Sequence, residues 1–165
     1  MNHAAGQSRL NHMEQSPELV KKLQELSTAI AKSGAIEPKL GFLVDIRASQ
    51  MNGCAFCLDM HVKEAKMHGE RELRLYHVAI WRESPLFNSK ERAALALTEA
   101  LTELAPTGIS DELYAEMREQ FSEKELSTLI FRIMSINAWN RASIAIRNTP
   151  GKYDKAYGLD KAGLS

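Results

Sequence analysis

The chain has 165 residues, 44% of them hydrophobic and 25% charged, the proportions of a globular domain with one sizeable core. Its 21 basic residues balance 21 acidic ones, which removes the electrostatic case for nucleic acid or an anionic membrane as partner. No segment reaches the roughly 20 apolar residues of a membrane span, and the start from Met1 to Arg9 lacks a signal peptide's apolar core, so a cytoplasmic protein is expected.

Helix signals follow one another along the chain. Residues 1–15 read as a loose extension. Ser16-Pro17-Glu18 is a cap followed by proline at the first helical position, and the helix it opens should run to about Ser33, before Gly34. Leu40 to Asn52 gives a second helix ending at Gly53. Cys54 to His68 gives a third, closed by Gly69, and Gly69 to Trp81 a fourth, before the break at Pro85. Asn88 with Glu91 resembles a capping box and opens the run Arg92 to Leu104. A short helix starts at Ser110-Asp111-Glu112. Ser122 with Glu125 is a second capping box before a long helix to about Arg147, apolar nearly all round and therefore expected to be buried in the domain centre or between subunits. Convincing period-2 alternation is absent. The expected fold is a single all-α domain of six or seven helices over residues 16–148, followed by a loose tail, 149–165.

The chemistry concentrates in Met51-Asn52-Gly53-Cys54-Ala55-Phe56-Cys57-Leu58-Asp59-Met60-His61, which holds the only two cysteines as a C-x-x-C pair. On a helical wheel Cys54, Cys57, His61, Glu64 and His68 form one narrow stripe. Asp59, Lys63 and Lys66 take the opposite face, expected to meet water. Cys54 stands at a helix start, where free N–H groups and the positive dipole end favour a thiolate. Cys57 has His61 at i+4, placed to accept its proton. Spacing alone leaves open which thiol attacks. Arg47 falls on the apolar stripe of the preceding helix, where it either supports a thiolate or pairs with a structural carboxylate; the latter is favoured.

Other uses of the motif fit poorly. Structural zinc needs four ligands, which one helix cannot wrap around an ion, and no second C-x-x-C exists. Haem attachment needs histidine directly after the second cysteine, where Leu58 stands, and a thioredoxin fold needs strands. No metal or cofactor is expected. His3, His12 and His77 carry no assigned role, and Trp81 and Trp139 read as core.

The stretch from Arg47 to His61 resembles the core of AhpD-like alkylhydroperoxidases, members of the carboxymuconolactone decarboxylase superfamily. Trp81-Arg82-Glu83-Ser84-Pro85-Leu86-Phe87 and Asn137-Ala138-Trp139-Asn140-Arg141 are also similar to that group, so the likeness runs from about Arg9 to Ile146. It implies a helical fold with the motif at a helix N-terminus, trimeric or hexameric assembly, and thiol peroxidase activity. By that resemblance Cys57 is the peroxidatic thiolate, Cys54 the resolving thiol, and His61 part of a proton relay. It also implies a hydroperoxide substrate and an external dithiol reductant of lipoyl type. The family's relay glutamate, about twelve residues before the first cysteine, is replaced by Phe42. Glu83, Glu64 and Asp45 are the candidate substitutes, with His68 and Arg47 as further support. Two other readings accompany the peroxidase: a dithiol/disulfide oxidoreductase on a non-peroxide substrate, and a redox-sensing oligomer without turnover.

Overall fold

The computed structural model describes residues 8–164, and among these every regular element is a helix. His3 and the rest of residues 1–7 lie outside the described residues. The helices are α1 His12–Gln15, α2 Pro17–Lys32, α3 Pro38–Asn52, α4 Ala55–Met67, α5 Glu72–His77, α6 Ser89–Thr102, α7 Asp111–Gln120, α8 Glu123–Ile146 and α9 Asp154–Tyr157. Short 3₁₀ turns cover Val78–Ile80 and Leu159–Ala162.

The local signals act as read. Asn88 and Ser122 both close complete capping boxes, each with its side chain accepting from the third helical N–H while the glutamate there bonds back to the cap. Gly53 ends α3 at φ 68°, a left-handed position that side chains with a Cβ rarely adopt. The chain then reverses at once into α4, so α3 and α4 form an antiparallel hairpin.

The core lies around α3 rather than α8. One apolar cluster joins Leu40 and Val44 of α3 to Leu97, Met117, Leu129 and Ile133 from α6, α7 and α8. A second joins Leu43 and Ile46 to Ala65, Leu75, Trp81 and Leu95. Because α3 feeds both clusters, its buried positions include the consecutive run from Leu43 to Ile46. Helix α8, expected to be buried in the domain centre or between subunits, buries Leu129, Ile133 and Ile136 within the chain and leaves Phe131, Met134 and Ile144 exposed (47%, 54% and 43%).

Both expected loose ends contain structure. Helix α1 lies within the first 15 residues. The C-terminal segment folds back on α4, burying Leu159 and Ala162. Lys63 explains the latter. Instead of facing water it is buried, and its Nζ donates to Asp59 Oδ2 at 2.8 Å and to Asp154 Oδ2 at 2.6 Å. A lysine so placed needs carboxylates, and one comes from the C-terminal segment.

Candidate functional site

The hairpin builds the site. Asp45 stands eight residues before Gly53 and His61 eight residues after it, so the reversal brings them level on facing helices. His61 Nδ1 lies 2.7 Å from Glu64 Oε2, one turn along α4, and 3.8 Å from Asp45 Oδ2. From α8, Arg132 Nη2 donates to Asp45 Oδ2 at 2.5 Å, and its Nε donates to Asp45 Oδ1 and the Gly41 carbonyl, both at 3.1 Å. A Cβ at position 41 would collide with that guanidinium, which accounts for a glycine inside α3. Burial disfavours charge on His61, but Asp45 and the hydrogen bond the ring donates to Glu64 outweigh it against an opposing Arg132. The His61 pKa is therefore raised above its usual 6.5.

Cys54 is the residue before the first turn of α4. It is joined to Cys57 by a disulfide, and its Sγ accepts from the Cys57 N–H at 3.3 Å. Both cysteines are almost fully buried, at 2% and 3% exposure. They differ in outlook. Cys57 lines a cleft of about 1260 Å³ together with Asp45, His61, Glu64 and Arg132, whereas Cys54 does not. The remaining wall is mostly apolar, with Phe42, Phe56, Ile136 and Trp139 among its members. Trp139 is thus a wall residue and not core; its Nε1 donates to Ser27 Oγ at 3.0 Å. Behind the motif, Asn52 Nδ2 donates to the Oδ1 atoms of Asn137 and Asn140, both at 2.9 Å, which ties the end of α3 to α8.

The supporting residues separate clearly. Glu64 and Asp45 stand against His61, while Phe42 lines the cleft and tilts against the His68 ring at 4.9 Å. His68 is exposed at the end of α4, its Nδ1 2.8 Å from the Glu64 carbonyl, and is not part of the cleft wall. Glu83 is exposed on the turn after Trp81, away from the cleft. Arg47 faces the opposite side of α3, where its Nε donates to Glu99 Oε1 at 2.7 Å and Trp81 Nε1 donates to the same oxygen at 2.8 Å. Its place is structural, as the buried stripe had favoured. Among the described residues no group of three or more His, Cys, Asp or Glu side chains is arranged to hold a metal ion.

Sequence reasoning missed Arg132 and the N-terminal arm. Residues Ser8 to Met13 form part of the cleft wall, and His12, which had no assigned role, stands in it with a buried Nε2 that has no hydrogen-bond partner among the described residues. A four-residue helix has too little apolar periodicity to reveal such a position.

The chain is similar to known proteins along most of its length. Residues 17–100 match the model of the carboxymuconolactone decarboxylase family. The uncharacterized protein YdfG of Bacillus subtilis is 39% identical over 140 residues, covering 85% of this chain and 95% of the relative. A solved structure from Agrobacterium tumefaciens, of a protein of unknown function with a suggested role as the antioxidant defence protein AhpD, is 38% identical. It has a TM-score of 0.83 and covers 87% of this chain and 98% of that one. The apo structure of the debrominase Bmp8 shares the fold, with 21% identity, a TM-score of 0.74, and coverage of 91% and 80%. The chain belongs to the carboxymuconolactone decarboxylase family, as an AhpD-like helical member.

Proposed function

We propose that the protein is a thiol-dependent peroxidase that reduces hydroperoxides through the Cys54/Cys57 pair. One observation carries this reading: Cys57 opens on the cleft beside a histidine whose charge two carboxylates support, while its disulfide partner stays behind it. In the reduced protein an imidazolium at i+4 favours the Cys57 thiolate. The thiolate attacks the terminal peroxide oxygen, the O–O bond breaks, and the alkoxide leaving group takes a proton from His61. Cys57 is now a sulfenic acid. The Cys54 thiol attacks its sulfur and forms the disulfide, its proton leaving with the displaced hydroxide as water, and His61 regains its proton from the Cys57 thiol once the disulfide is reduced. An external dithiol, in this reading of lipoyl type, then exchanges with the disulfide and leaves as its own cyclic disulfide. Asp45 and Glu64 hold His61 in place and take over the role of the carboxylate absent at Phe42.

Consumption of cumene hydroperoxide with dihydrolipoamide as reductant tests this. Wild type should turn over, Cys57→Ser should not, and Cys54→Ser should consume about one equivalent and stop. Equal slow rates for wild type and Cys57→Ser would remove the peroxidase reading.

The cleft's volume favours a second reading, since about 1260 Å³ exceeds the roughly 300–1,000 Å³ of most small-molecule sites. A dithiol/disulfide oxidoreductase acting on a larger, non-peroxide acceptor would use the same cysteines, and the shared fold with a debrominase is compatible with it. Assembly as a trimer or hexamer belongs to the proposal as well, supported by the apolar surface that Phe131, Met134 and Ile144 leave on α8. A redox sensor without turnover would instead change its oligomeric state when Cys54 and Cys57 are oxidised.

A further inference from the structure

The charges in the cleft wall are not evenly committed. Its two acidic residues, Asp45 and Glu64, are both engaged with His61 or Arg132. Its remaining basic side chains come from the chain's two ends: Arg9 and His12 from the N-terminal arm and Lys152 from the C-terminal segment. Among the described residues none of these three has an acidic partner. Lys152 Nζ donates to Ser8 Oγ at 3.2 Å and lies over the Tyr153 ring at 5.2 Å. His12 Nε2 is buried and lacks a hydrogen-bond partner among the described residues. A buried polar nitrogen left this way is costly unless something supplies the missing bond.

The arm is held where it stands. The Arg9 N–H donates to the Ile146 carbonyl at the end of α8 at 2.8 Å, and Asn11 caps α1 by accepting from the Met13 N–H at 3.1 Å. The result is a mostly apolar cleft with Cys57 in its wall and, among its lining residues, a basic patch without acidic members contributed by the arm and the C-terminal segment.

We propose that His12, with Arg9 and Lys152, binds the carboxylate of an amphipathic substrate whose apolar chain fills the cleft. Resting on the peroxidase reading, this makes the substrate class a fatty-acid hydroperoxide with its carboxylate free. His12 is a substrate-binding residue: its ring turns to bring the buried Nε2–H onto the carboxylate, and Arg9 and Lys152 add charge. The apolar wall takes the chain without needing a fixed length.

Binding of redox-inert ligands tests the site separately from turnover. Titration calorimetry on the full-length oxidised protein would compare decanoate with decan-1-ol. Decanoate should bind about tenfold more tightly, the worth of a charge-assisted hydrogen bond. His12→Leu should erase that difference and leave decanol unchanged, His12→Gln should restore part of it, and Arg9→Ala should reduce it. Since Arg9 is exposed, the last variant remains informative should a change at His12 disturb folding. Equal binding of acid and alcohol to wild type, an equal loss of both in His12→Leu, or no binding of either because a second copy fills the cleft would each overturn the proposal. A failed peroxide assay with decanoate binding intact would overturn the peroxidase reading and leave the carboxylate site standing.

Discussion

Asp45 and Arg47 stand two positions apart on α3, so about 200° of helical rotation sends them to opposite faces. Each enters a buried ion-pair cluster, and the two clusters are built differently. Around Arg47 every group finds a fixed partner: Glu99 accepts from Arg47, from the Trp81 indole and from Arg82, and its carboxyl pKa is lowered despite burial. That cluster is closed, and it joins α3 to α6 and the turn after α5. Around Asp45 the chain of contacts begins with Arg132 but ends on His61, a titratable ring in the wall of a cleft that Cys57 shares. A closed cluster fixes geometry; one ending on an imidazole beside a thiol can also move a proton. The buried cation first considered for thiolate support belongs to the closed cluster, and the cluster that ends on His61 uses a different arginine, Arg132.

The contrast can be broken from either side. The largest effect is expected at the closed cluster: Glu99→Ala leaves Arg47 buried without its carboxylate and should cost about 3–5 kcal/mol of stability. Urea unfolding measures it, and the alkylation rate of reduced Cys57 should stay at the wild-type value. A slowed alkylation would show that the two faces of α3 are coupled. A smaller effect is expected at the open cluster. Glu64→Gln removes one of the two carboxylates holding His61 charged and should lower its pKa toward 6.5, at a cost on the order of 1 kcal/mol. The sign follows from the raised value. The His61 contribution is fully present below 6.5 and is lost as pH rises through the folded pKa, so the variant should lose it at lower pH than wild type. An NMR titration of the His61 ring reads both; an unmoved midpoint would assign the shift to Asp45 alone.

Much of this architecture is legible in the chain because the forces responsible are local. Both capping boxes span three residues, Gly53 stops α3 through its own backbone, and the His61–Glu64 pair follows from helical spacing alone. The partners that complete the clusters are remote. Arg132 meets Asp45 across 87 residues, Glu99 meets Arg47 across 52, and Asp154 meets Lys63 across 91. A helical wheel places a side chain on a face but cannot name what opposes it, which is why Lys63 read as solvent-facing and the C-terminal segment as loose. The cleft was hidden for the same reason, since its walls come from both ends of the chain and from α2, α3, α4 and α8.

The central claim is that His61 activates Cys57. In a Cys54→Ser background, which leaves Cys57 as the only thiol, the rate of iodoacetamide alkylation can be followed against pH with His61 present and with His61→Ala. The midpoint should be lower with the histidine and rise clearly in the alanine variant, because the thiolate loses its neighbouring imidazolium. Coincident midpoints would contradict it.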